Sequence, residues 1–107
     1  MERLALTARL KEGAQPRAVE LIAKGPPFDL EARGFVRHSV LLSATHVIFV
    51  FEAPEVEWLV SALVDDPFQF MVADALDEWR PLVEGPPRIA REQFFWQRDR
   101  PAEDQPR

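Results

Sequence analysis

The stretch that decides the fold is Gly34-Phe35-Val36-Arg37-His38-Ser39-Val40-Leu41-Leu42-Ser43-Ala44-Thr45-His46-Val47-Ile48-Phe49-Val50-Phe51-Glu52. Val36, Val40, Leu42, Val47, Ile48, Phe49, Val50 and Phe51 are the branched and aromatic types that suit a pleated sheet. Ser43, Ala44 and Thr45 interrupt the apolar run where a hairpin must reverse. The stretch therefore reads as two strands and a tight polar turn.

Working outward toward the start, Arg3 to Leu10 alternates. Leu4, Leu6, Ala8 and Leu10 share one parity, while Ala5, Thr7 and Arg9 take the other. The first set is apolar enough to lie under helices. Ala14 to Lys24 reads as a helix, with Pro16 tolerated in its first turn and Ala18, Val19, Leu21 and Ile22 as its apolar stripe. Gly25-Pro26-Pro27 stops it. Phe28 to Arg33 is expected to be a connector back to the sheet.

Working outward toward the end, Pro54 opens a second helix whose buried stripe is Val56, Leu59, Val60 and Leu63. Asp65-Asp66-Pro67 breaks it, and helical spacing resumes from Phe68 through Met71, Val72, Ala75, Leu76, Trp79, Leu82 and Val83. Gly85-Pro86-Pro87 echoes the earlier stop, and Ile89 to Trp96 is expected to be the last strand. Residues 1–96 make one domain. From Gln97 to Arg107 the sequence is almost wholly polar and is expected to be a solvated, disordered tail.

The order strand, helix, strand, strand, helix, strand predicts an α+β, ferredoxin-like βαββαβ domain, a four-stranded antiparallel sheet with its helices on one face. Both parities of the last hairpin strand are apolar: Val47, Phe49 and Phe51 on one, Ile48 and Val50 on the other. One helix layer covers only one of them. The sequence thus predicts a homodimer in which a second copy covers the open face.

Composition narrows the function classes. The chain has 107 residues, 47% hydrophobic content and no cysteine, which excludes disulfides and thiolate metal sites. A formal net charge of -5 argues against nucleic-acid binding. The run Val47 to Phe51 is too short to cross a bilayer, so no membrane partner is expected, and a cytoplasmic protein is the default expectation. Ten prolines, no Asn and no Tyr fit either a GC-rich genome or a thermophilic origin; composition leaves both open.

Gly34 to Val40 with Val50-Phe51-Glu52 also resembles the second and third strands of the antibiotic-biosynthesis-monooxygenase type of dimeric α/β barrel. Asp66-Pro67-Phe68-Gln69-Phe70 resembles the proline-bearing segment midway along that group's second helical region. The resemblance implies a dimer with a pocket between helices and sheet in each subunit. The group includes cofactor-independent monooxygenases, haem-degrading oxygenases, polyketide cyclases and lactone isomerases. This chain departs from it in three places: Phe68 replaces the histidine common after the proline, His38 stands where a strand tyrosine is frequent, and Ala53-Pro54 follow Glu52 in place of a tryptophan.

His38 is the candidate for acid/base work, since imidazole changes charge near neutral pH. The alternative is a half-buried histidine held by a backbone or carboxylate partner. His46 lies beside the turn, and the two histidines do not form a metal pair. No metal or cofactor is expected. Arg37 and Arg91 are candidates for gripping a ligand anion, or else for ion pairs with Glu52 or Glu92. Trp58, Trp96, Phe49 and Phe51 are candidates for an aromatic pocket that takes a small apolar or aromatic ligand, with core or interface packing as the alternative. Two functions follow: a non-catalytic dimer that binds such a ligand or simply assembles, or a cofactor-free monooxygenase-like enzyme acting on an aromatic or polyketide-like substrate through His38.

Overall fold

A computed structural model describes residues 2–26, 28–65 and 73–98. The elements are β1 (Glu2–Arg9), α1 (Gln15–Ala23), β2 (Arg37–Leu42), β3 (His46–Ala53), α2 (Val56–Asp65), α3 (Ala73–Trp79) and β4 (Arg88–Arg91). One turn of 3-10 helix, Arg80–Leu82, follows α3. The strands form a single antiparallel sheet in the order β2-β3-β1-β4. That order, with its two crossover helices, is the ferredoxin-like arrangement.

Register sorts the side chains. β1 pairs β3 along its whole length, Leu4 opposite Phe51, Leu6 opposite Phe49 and Ala8 opposite Val47. β2 sets His38 opposite Phe51 and Val40 opposite Phe49. β4 sets Ile89 opposite Leu6 and Arg91 opposite Leu4. One face therefore carries Leu4, Leu6, Ala8, Val47, Phe49, Phe51, His38, Val40 and Ile89. The helices cover this face. Val56, Val60 and Leu63 of α2 pack on Leu4, Leu6, Phe51 and Ala53. Ala14 and Ala18 of the first helical region pack on Ala8, Leu10 and Val47. Phe49 meets the Trp79 ring edge-on at 5.4 Å and ties the end of α3 to the sheet. Val47, Val56 and Val60 are fully buried, each contributing about 1.5–3 kcal/mol.

The other face carries Arg3, Ala5, Thr7, Arg9, Arg37, Ser39, Leu41, Ile48, Val50, Glu52, Arg88 and Ala90. None of these residues is buried in the single subunit, and Leu41 is 54% exposed. The single helix layer and the two-sided apolar hairpin read from the sequence are both present.

Two boundaries differ from expectation. β2 begins at Arg37 rather than Gly34, because the connector closes in its own turn. Arg33, Gly34 and Phe35 donate their N–H groups back to Leu30, Glu31 and Leu30 at 3.2, 3.1 and 3.0 Å. Gly34 at φ 95° supplies the left-handed residue that such a Schellman-type ending needs. β4 ends at Arg91 rather than Trp96. It has one neighbour among the described strands, β1, and its pairing with β1 ends at Leu4 opposite Arg91. Phe94, Phe95 and Trp96 are 81%, 51% and 71% exposed. The segment Asp66-Pro67-Phe68-Gln69-Phe70 lies outside the described residues, as do 99–107 of the expected tail.

Candidate functional site

The site candidate begins with β2, an edge strand. Against it lies the turn that starts at Asp29, whose carboxylate accepts the Ala32 N–H at 3.1 Å. Between turn and strand runs a groove of about 410 Å³ lined by Leu30, Glu31, Phe35, Val36, Arg37 and His38. Arg37 and His38 point to opposite faces of the sheet, and both border the groove because β2 has no outer neighbour. The volume falls within the range of small-molecule clefts.

Phe35 and His38 line the groove, and further rings stand against them. Phe28 stands 6.0 Å from Phe35, Phe35 stands 5.1 Å from Phe51, and His38 stacks on Phe51 at 4.5 Å with 24° between the planes. Phe35 and Phe51 are buried, so this row is anchored in the core. The His38 ring is half-buried, and Nδ1 lies 2.9 Å from the Val50 carbonyl oxygen. A carbonyl only accepts, so Nδ1 carries the proton and donates. Nε2 is then left with its lone pair, the form of imidazole that can take a proton or accept a hydrogen bond. Burial lowers the His38 pKa from its ordinary value, and the Val50 hydrogen bond pulls more weakly the other way. Burial thus favours the neutral ring.

The other sequence candidates are dispersed. Phe51 belongs to the His38 wall, and Phe49 lies one pair further along the same face against Trp79. Arg37 reaches Glu52 on the open face at 3.6 Å. Arg3 reaches the same carboxylate at 2.6 Å, and Arg3 also reaches Glu92 at 3.4 Å. Arg91 is at the far edge of the sheet on the helix-facing parity. It therefore meets Glu57 of α2 rather than Glu92, with Nε 3.1 Å from the carboxylate. That bond lowers the Glu57 pKa and raises the Arg91 pKa. Trp58 is 69% exposed and borders a separate, open depression of about 400 Å³ with Glu2 and Glu55. Trp96 is exposed beyond β4. His46 donates to or accepts from the Thr45 hydroxyl at 2.8 Å, a turn contact. Among the described residues no group of three His, Asp or Glu is placed to hold a metal ion, and no helix is long and apolar enough to cross a membrane.

Sequence reasoning passed over Leu30, Glu31, Phe35 and Val36. The signal was present: Asp29 followed five residues later by Gly34 marks a capped turn closed by a left-handed residue. Such a turn holds its side chains at a fixed place, whereas a featureless connector does not.

No family profile matches the chain, and no curated protein matches it by sequence. Solved structures do. A dimeric ferredoxin-like protein from an uncultured marine organism superposes with a TM-score of 0.53 at 15% identity, covering 94% of this chain and all of that one. A protein from Agrobacterium tumefaciens gives a TM-score of 0.49 at 19% identity, covering 88% of this chain and 96% of that one. The chain has the ferredoxin-like fold.

Proposed function

We propose that this protein is a homodimeric binder of a small apolar or aromatic ligand, which it takes into the groove between the Asp29–Gly34 turn and β2. The observation that carries this reading is the ring row Phe28, Phe35, Phe51 and His38 beside an open groove of ligand size. Aromatic walls favour flat apolar molecules, and a few polar groups at the rim set orientation. Here those groups are His38, Glu31 and Arg37. Homodimerisation is supported by the second face of the sheet, where Leu41 is exposed and Ile48 and Val50 are only partly buried in the single subunit. The dimeric marine protein of the same fold is consistent with it.

A second reading rests on His38 itself. A neutral imidazole with Nδ1–H committed to a carbonyl offers Nε2 as a base at a groove. This favours the cofactor-free, monooxygenase-like alternative, in which His38 takes a proton from an aromatic or polyketide-like substrate.

The test is native mass spectrometry of the protein as purified, followed by NMR mapping with 1-anilinonaphthalene-8-sulfonate as aromatic probe. A dimer with shifts confined to Leu30, Phe35, Val36 and His38 supports the binder. Shifts elsewhere, or none, overturn it. If a substrate is identified and His38→Ala leaves its turnover unchanged, the acid/base reading is lost.

A further inference from the structure

Two apolar surfaces of this chain lie open at once. One is the uncovered sheet face across Leu41, Ile48 and Val50; the other is the run Phe94-Phe95-Trp96 just past β4. They meet across a charged rim, where the guanidinium of Arg3, an open-face residue, lies 5.1 Å from the centre of the Phe95 ring. Arg3 in turn is held by Glu52 and by Glu92, the first residue after β4. The segment is thus tied at its base to the rim of the open face, while Phe94 and Trp96 stay turned outward.

We propose that Glu92–Trp96 is a dimerisation arm: the Phe94 and Trp96 side chains of each copy seat on the open sheet face of the other, over Leu41, Ile48 and Val50. This rests on the reading that the open face meets a second copy, and it says what makes that meeting stable. Four strands about 4.8 Å apart and about six residues long offer a flat area of roughly 400 Å². Stable interfaces need about 800 Å² from each partner. The two seating side chains, Phe94 and Trp96, at the observed exposures add roughly 300 Å². Sheet face and arm together come to about 700 Å² per partner, close to that size, whereas the flat sheet face alone is about half of it. A two-fold axis uses each arm once on each face, so the contact closes on itself. The rim carries both signs of charge, with Arg3 and Arg37 beside Glu52 and Glu92.

Sedimentation equilibrium on the full chain tests this, with the double variant Phe94→Ser/Trp96→Ser and the face variant Leu41→Asp measured alongside. The parent protein is expected to be a dimer. The arm variant is expected to dissociate with a constant raised about 100-fold or more while its far-UV circular dichroism stays that of the parent. Leu41→Asp is expected to weaken the dimer comparably. If the arm variant dimerises as tightly as the parent, the arm is not the anchor, and the sheet-to-sheet dimer stands without it. If the parent is a monomer at about 100 µM, both the arm and the dimer are overturned. Loss of the circular dichroism signal in the arm variant also counts against the proposal, since it places these rings in the subunit's own core.

Discussion

Replacing Phe51 by alanine tests whether the candidate groove and the core share one wall. Phe51 is 5% exposed, pairs with Leu4 and His38 across the strands, and contacts the Phe35 ring. Phe→Ala at such a site removes the transfer energy of the ring and leaves a cavity, about 3–5 kcal/mol together. Against a total stability of about 5–15 kcal/mol that is a large fraction. Phe51→Leu keeps most of the apolar volume and loses mainly the ring contacts with Phe35 and His38, so it is expected to cost about 1–2 kcal/mol. Urea unfolding at one fixed protein concentration reads both, because a dimer's apparent stability depends on concentration. The second readout is the His38 titration by NMR. Its midpoint lies low because the ring is buried, with Phe51 stacked on one side. Phe51→Ala admits water to that side and is expected to move the midpoint up toward the ordinary histidine value. A cost below about 1 kcal/mol for the alanine variant, with the His38 midpoint unmoved, would refute the shared wall. Should that variant not fold, the leucine variant decides by its titration alone.

Three further outcomes are expected. Acidification from pH 7.5 should destabilise the parent protein relative to His38→Gln: the unfolded chain takes up the proton near pH 6.5 before the folded one does, so His38's contribution is present above that pH and is lost as pH falls through its lowered folded value. A stability difference between the two proteins that is constant from about pH 7.5 to 5 would contradict this. Gly34→Ala is expected to cost about 1–2 kcal/mol in urea unfolding, because φ is 95° while the added Cβ meets only Leu59 Cδ1 at an ordinary 3.6 Å; a neutral result would show that the turn relaxes. Glu57→Gln is expected to be felt at low ionic strength and to vanish in about 1 M salt, since the Glu57–Arg91 pair is exposed. A salt-independent effect would mean that the pair acts by packing.

The sheet was legible because parity is a short-range property. Leu4, Leu6 and Ala8 announced their buried side, and the doubled apolar pattern of Val47–Phe51 announced a face that helices do not cover. The helices were legible from stripes such as Val56, Val60 and Leu63. Site composition was harder, since whether Arg91 meets Glu57 or Glu92 depends on strand order and on which side of β4 faces α2, and neither is written locally. Trp58 and Phe51 look alike as aromatic candidates in the sequence, yet one is on the solvent side of α2 and the other under it. The groove was harder to read because its outer wall is a turn, marked in the sequence only by Asp29 and Gly34 and carrying no side-chain periodicity.

That wall has a consequence for how anything enters. The Asp29–Gly34 turn is closed by a handful of local bonds, whereas the strands behind it are held along the full ladder. Thermal opening of the turn therefore costs far less than opening the sheet, so a guest of the proposed cleft is expected to enter by parting that side only. Hydrogen exchange should show fast amides at Arg33 and Gly34 beside slow ones at Val47 and Phe49, with a seated guest slowing the first pair alone; equal slowing across both would mean that entry requires the whole subunit to breathe.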